Sequence, residues 1–249
     1  MALTALATGD RLFFGDENKK RKRVQLVYLH HIFSDEIENF ERLLARLAED
    51  YKFISHSEAV QRVVTGVTDE PSISFSADDG LKNNLDAAKI LDRYNAKACF
   101  FINPESVGLN DYQKIKSFCK DRLGLPPVDF LNWDDIHRLL DGGHEIGAHT
   151  MGHGNVAEMK LELFEEDLHN TRNILTRECG NVDHFAFPYG RFSDFSKRAM
   201  ELVFEAGYKS CSSAERGSHY CEKPIPEKKL LLRRDQVVLG WPLAHNLYF

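Results

Sequence analysis

Two adjacent carboxylates, Asp78 and Asp79, end a short apolar run from Ile73 to Ala77 and are followed at once by Gly80. Like charges side by side cost energy unless a cation or a proton compensates them. Read alone, Asp-Asp-Gly is a surface turn, so the chemistry must come from elsewhere in the chain. His149 and His153 stand four positions apart in His-Thr-Met-Gly-His, a spacing that on one helical turn aims both imidazoles the same way. Two histidines and one carboxylate form a three-ligand open site that leaves positions for water and substrate, and Asp79 is the expected third ligand. A bound divalent cation lowers the pKa of a coordinated water to roughly 7, which makes Asp78 the expected base for that water's proton. Attack on a carbonyl then creates an oxyanion. The tight turn Pro188-Tyr189-Gly190 offers backbone N–H groups for it, which places Tyr189 among the expected contacts.

These residues need elements to position them. Val24 to Leu29 is an apolar run with strand character that delivers His30 and His31 at its end. Ile37, Phe40, Leu43, Leu44 and Leu47 recur at helical spacing, with Asp35 and Glu36 where a helix dipole favours negative charge. Short strands are expected at 51–54, 73–77, 98–102, 144–148, 182–187, 208–212 and 230–232. Helices are expected between them, including one from Asn132 to Gly142 and a long one from Val156 to about Glu178. Residues 103–129 break the rhythm with Gly108, Gly124 and Pro126-Pro127 and read as an insertion over one loop, with a helix at 112–118. Strands alternating with helices imply a parallel sheet, and about eight short strands in 249 residues favour a single-domain (β/α)7-8 barrel. In such barrels chemistry sits at the C-terminal strand ends, which here carry His30, Asp78-Asp79, His149, Pro188-Tyr189-Gly190 and Arg234.

Composition removes several classes of function. The net charge is -6, and the one basic run, Lys19 to Arg23, is too short to argue for nucleic acid; it reads as a solvated approach within a flexible segment 1–23. The N-terminus lacks the features of a secretory signal and no apolar run is long enough to cross a bilayer, so a cytoplasmic protein is expected. Five scattered cysteines without Cys-x-x-Cys spacing argue against a disulfide framework or a thiolate zinc site, and Cys99 reads as core.

Ser-Phe-Ser-Ala-Asp-Asp-Gly, His-Glu-Ile-Gly-Ala-His-Thr-Met-Gly-His and Phe-Ala-Phe-Pro-Tyr-Gly occur in this order, and together they resemble the first three motifs of the polysaccharide deacetylase family, carbohydrate esterase family 4. The similarity runs from Tyr28-Leu29-His30-His31, through Phe130-Leu131-Asn132-Trp133, nearly to the C-terminus. It implies a distorted (β/α) barrel, a divalent metal usually taken as zinc (Zn2+), and hydrolytic removal of an acyl group from a sugar. By the same resemblance Asp78 is the base, and Asp79, His149 and His153 are the ligands. The chain departs from the pattern in places. Many members carry an Arg two residues before the Pro of the third motif, where this chain has Ala186; Arg233 or Arg234 is the expected substitute, with Arg234 preferred. Leu243-Ala244-His245 matches the form of the late Leu-x-His motif that supplies the family's general acid, and His30 competes as acid or substrate contact. The region 212–215 lacks the Asp-Trp pattern of the fourth motif. The expected activity is a metal-dependent deacetylase of an N-acetylated amino sugar in surface polysaccharide or lipid-linked precursor assembly. The alternatives are an amidohydrolase of a small cyclic amide or formamide, and a carbohydrate-binding protein whose catalysis has lapsed.

Overall fold

The computed structural model describes residues 22–220 and 223–247. Its strands and helices alternate as β1 (Val24–Leu29), α1 (Ile37–Leu47), β2 (Lys52–Phe53), α2 (His56–Thr65), β3 (Ser72–Ala77), α3 (Asn84–Arg93) and β4 (Ala98–Ile102). After α4 (Tyr112–Phe118) come α5 (Trp133–Asp141), β5 (Glu145–Ala148), α6 (Leu161–Cys179), β6 (His184–Ala186), α7 (Lys197–Glu205) and β7 (Ser210–Ser212). The chain closes with β8 (Leu231–Leu232), β9 (Asp235–Gln236) and the short α8 (Leu243–Asn246). The strands pair in parallel in the order β8-β7-β6-β5-β4-β3-β1-β9. One edge of β3 is shared, with β2 opposite Ser72 and Ile73 and β4 opposite Phe75 to Ala77.

The two ends of this sheet are consecutive pieces of chain. β8 pairs with β7, β9 pairs with β1, and only Arg233 and Arg234 separate them. One extended run thus joins both edges, and the chain forms the expected distorted (β/α) barrel. Sequence periodicity missed β9, because two polar residues on a sheet edge carry no apolar signal.

Alternation along the strands divides two environments. Ile73, Phe75 and Ala77 of β3, and Ala98, Phe100 and Ile102 of β4, join the main core under the helices. Ser72, Ser74 and Ser76 are equally buried on the opposite face of β3, and Cys99, Phe101 and Ala186 form a separate inner cluster. The barrel interior is therefore narrow and polar on one side. At Gly147 a Cβ would lie 2.4 Å from the Phe101 ring, so the inner face of β5 must be bare there.

Local signals explain most boundaries. Asn132 and Asp135 form a reciprocal capping box at the start of α5, and Gly66 ends α2 in the left-handed region that lacks a Cβ penalty. The long helix begins at Leu161 instead of Val156. Val156–Glu158 is a separate 3-10 turn, and Met159 and Lys160 are extended, which seats Met159 against the main core. The insertion at 103–129 builds α4 and a π-helical turn over a small core of Leu81, Ile115, Cys119 and Phe130. Residues 1–21 of the expected flexible segment lie outside the described residues, whereas Arg23 belongs to the fold, buried with its guanidinium 5.6 Å from the Tyr51 ring. No described helix is long and apolar enough to cross a membrane.

Candidate active site

Period-two alternation places Asp78 on the inner face of β3, in line with Ser72, Ser74 and Ser76, and its N–H continues the ladder to Leu29 O at 3.0 Å. The same alternation would send Asp79 outward to the helices. Instead Asp79 adopts φ 74, followed by Gly80 at φ 65, and this left-handed turn swings its carboxylate back over the rim. Two neighbouring acids thereby face different partners.

Asp78 meets Arg234, whose Nη1 and Nη2 donate to Oδ1 and Oδ2 at 2.8 and 2.9 Å. Arg234 is fully buried in the barrel. It also donates to Ser76 Oγ at 3.1 Å and Ser213 O at 3.0 Å, and it lies 4.5 Å from the Tyr28 ring and 5.2 Å from the Phe101 ring. Burial pushes the Asp78 carboxyl up, but Arg234 and His149 outweigh it and hold it below the usual carboxylate range.

Asp79 meets the histidines. His149 Nε2 is 3.4 Å and His153 Nε2 3.3 Å from Asp79 Oδ1. His149 continues the inner face of β5, and its Nδ1 lies 2.8 Å from Ala186 O, so Nδ1 carries the proton and Nε2 turns its lone pair to Asp79. His153 does not sit on a helical turn with His149, as the spacing suggested. The intervening residues form an irregular turn with Thr150 at φ 61 and His153 at φ 57, and this turn produces the convergence. Burial works against the Asp79 carboxylate, yet the adjacent histidines hold it well below its usual range. Burial lowers His153 to about 4, whereas at His149 the acids outweigh burial and raise it.

The donor set fits a divalent cation on this structure's own terms. One atom each of Asp79, His149 and His153 lie within 4.8 Å of one another, all three residues are buried, and Asp79 Oδ1 makes no hydrogen bond. A buried carboxylate oxygen without a hydrogen bond, facing two imidazole nitrogens, is a cost that a cation removes. Protein purified without added metal should therefore carry a divalent ion that His149→Ala and His153→Ala lose. Removing a direct ligand should weaken binding by more than the 10–100-fold typical of supporting residues. Metal analysis checks this, and equal content in wild type and both variants would remove the site.

The remaining expected residues are distributed unevenly. Tyr189 (φ 61) is half-exposed, its ring 5.0 Å from that of His153 and its hydroxyl donating to Arg122 O of the insertion at 3.2 Å. His30 Nδ1 lies 3.3 Å from Gln236 Nε2 on β9, and the His30 carbonyl accepts from Asn84 Nδ2 at 2.9 Å. His245 sits on α8, which packs against α1, with its ring 6.5 Å from Trp241. Arg233, the other candidate for the missing Arg, instead lies over Phe192 at 5.1 Å. Sequence reasoning missed Ser76 and Ser213, which hold Arg234, and Asn103 and Asp167, which hold the histidine turn. Ser76 was recoverable from its parity with Asp78; Asp167, on a helix, gave no signal.

Residues 65–211 match the family model described as polysaccharide deacetylase. The chain belongs to the polysaccharide deacetylase family. The matched span contains Asp78, Asp79, His149, His153 and Tyr189, while His30, Arg234 and His245 lie outside it. A chitooligosaccharide deacetylase of Sinorhizobium fredii (strain NBRC 101917 / NGR234) is 26% identical over 148 residues, which is 57% of each chain. The chain thus matches little more than half the length of this relative. Among solved structures, IcaB from Ammonifex degensii superposes with a TM-score of 0.71 at 16% identity, over 88% of this chain and 93% of that one. The Streptococcus pyogenes deacetylase PplD in complex with acetate gives 0.69 at 15% identity, over 91% and 96%. A de-N-acetylase from Aggregatibacter actinomycetemcomitans gives 0.67 at 17% identity, over 88% and 97%. At such identities these three structures speak to the fold alone.

Proposed function

We propose that this polysaccharide deacetylase family member hydrolyses the acyl group from an N-acylated amino sugar within a saccharide chain. The observation that carries this reading is the division of labour between neighbours: Asp78 is locked to Arg234, and Asp79 faces two histidines. Asp79, His149 and His153 would hold the cation, and one oxygen with two imidazole nitrogens suits zinc. When bound, the cation acidifies water and polarises the carbonyl. Asp78 takes the water's proton as the C–O bond forms. The Tyr189 N–H makes no hydrogen bond among the described residues and is free to donate to the oxyanion. As the C–N bond breaks, a proton must reach the amine. His30 is better placed than His245 to deliver it, because it follows β1, whose paired strand β3 leads into Asp78, while His245 lies beside Trp241 on the flank of α1.

The surroundings favour a saccharide over a small cyclic amide. Small amides are held in enclosed pockets. Here the loops leaving β1 and β6 expose Phe33 and Tyr189, which offer flat apolar faces to sugar rings. A cleft of ≈300 Å³ beside His153, lined by Glu105, Arg122, Met151, Gly152 and Met159, gives room for a neighbouring sugar. By the shorter way round the closed sheet, through the β8–β9 run and β7, β1 and β6 are three strand spacings of about 4.8 Å apart, further than one ring extends. A role in surface polysaccharide or lipid-linked glycan assembly is consistent with such a chain substrate.

The decisive experiment assays acid release from N-acetylated oligosaccharides, sugar nucleotides and cyclic amides in parallel. Acetate should come from the oligosaccharides. Turnover of cyclic amides alone would overturn the reading, and saccharide binding without any turnover would replace it with the binding protein. Retention of both acids and both histidines in a convergent arrangement argues against that last outcome.

A further inference from the structure

The turn between the two ligand histidines stores unfavourable backbone. Thr150 at φ 61 and His153 at φ 57 both sit in the left-handed region, which is unfavourable for a residue with a Cβ. Such a turn persists only where its surroundings hold it, and two side chains from other elements do so. Asn103, fully buried just beyond β4, donates its Nδ2 to the carbonyls of both His149 and Thr150, the latter at 3.0 Å. The two carbonyls fix the orientation of the amide, since its oxygen in that place would face two acceptors. Asp167, on α6, accepts the Met151 N–H with both carboxylate oxygens at 3.1 and 3.2 Å, and Thr171 one turn along donates to its Oδ1 at 3.2 Å. The Met151 carbonyl is held in turn by Glu105 N–H at 3.0 Å, and Thr150 Oγ1 accepts Gly154 N–H at 3.2 Å.

We infer that Asn103 and Asp167 are positioning residues that preset the His149–His153 turn for its cation. This inference rests on the reading of Asp79, His149 and His153 as ligands. Without such clamps the left-handed residues of the turn would relax to ordinary backbone, and binding would have to supply the energy of reordering it. With them, the ligand atoms converge before any ion arrives. Asn103 is fully buried, and Asp167, which also lines the cleft beside the turn, accepts the Met151 N–H; both act through the backbone of the turn.

Co2+ is the probe, because its visible absorption reports ligand geometry as well as occupancy. Asp167→Asn keeps the shape but has a single acceptor oxygen, and Asn103→Leu keeps the branching at Cγ without the donors. Both should bind Co2+ about 10–100-fold more weakly than wild type, with a changed visible band. Asp135→Asn serves as control, since Asp135 is buried in the α5 capping box and its loss weakens the fold without touching the turn. Its Co2+ affinity and band should match wild type. Unchanged affinity and spectrum in Asp167→Asn and Asn103→Leu would overturn the inference, as would an equal loss in Asp135→Asn. Hydrogen exchange at residues 150–154 of the metal-free protein gives a second readout: it should quicken in the two clamp variants and not in the control. If wild type binds no Co2+, the ligand reading falls, and an exchange rate unchanged in the clamp variants then removes the clamps as well.

Discussion

Arg234→Gln should cost the fold about 3–5 kcal/mol, the penalty for leaving a buried charge without its partner. That is a large share of the 5–15 kcal/mol by which domains are stable, so the urea midpoint should fall sharply. The size follows from how completely Arg234 is used. Its guanidinium donates to both Asp78 oxygens, Ser76 Oγ and Ser213 O, lies over two aromatic rings, and is fully buried. Gln can satisfy part of the hydrogen bonding but none of the charge. The double variant Asp78→Asn with Arg234→Gln should regain part of the loss, because it removes the stranded carboxylate along with its partner. A double variant less stable than Arg234→Gln alone would show that the pair is not what the interior is built around.

The deficit should also depend on pH in a defined direction. In wild type Arg234 outweighs burial and holds the Asp78 carboxyl below its unfolded value. Such a carboxyl contributes stability above the unfolded pKa, and the contribution fades as pH falls through the lower folded value. In Arg234→Gln burial acts with only the histidine charges against it, and the carboxyl rises. The buried charge then opposes folding at neutral pH, and acid relieves it by protonation. The gap between wild type and variant should be widest near pH 7 and close toward pH 4.

Much of this site could be read from residue order, because a parallel barrel sends the C-terminal ends of its strands to one rim. Strand runs ending in Asp78-Asp79 and in His149 therefore mark that rim in the sequence itself. Parity along β3 separates the two acids only in part, since the left-handed turn at Asp79 that completes the separation is a property of tertiary context. The histidine pair was legible for a reason that does not hold: an i, i+4 spacing suggested a helix, and a strained turn gives the convergence instead. Arg234 could be named because a position held by Arg in relatives is Ala186 here and a candidate lay on another strand end. That its strand continues into β9 and joins both sheet edges was hidden, because Asp235 and Gln236 look like loop. Asp167 was illegible, as one more acid among Glu162, Glu165 and Glu166 on an amphipathic helix.

Asp78→Asn should keep its metal and lose turnover by about 10²–10⁴-fold, the usual contribution of a positioned acid or base. The metal should stay because Asp78 is outside the converging trio. The turnover should go because of how the carboxylate is occupied. A carboxylate has about four acceptor directions, and Arg234 takes two of them, which leaves capacity for a water proton at the rim. Arg234 thus fixes the Asp78 carboxylate without filling it. The cost is basicity, since the same ion pair lowers the Asp78 pKa and a weaker base abstracts a proton less readily from ordinary water. On the proposed reading a base this weak would work only on an acidified water, so the two halves of the site would depend on each other: ligands without Asp78 would leave the proton in place, and Asp78 without ligands would not remove it. The comparison that tests this is metal content beside acetate release in Asp78→Asn and Asp79→Asn, with thermal unfolding as a check on the fold. Asp79→Asn should lose both metal and activity, Asp78→Asn activity alone. Undiminished release in Asp78→Asn would remove it as the base, and metal loss there with retention in Asp79→Asn would exchange the roles of the two acids.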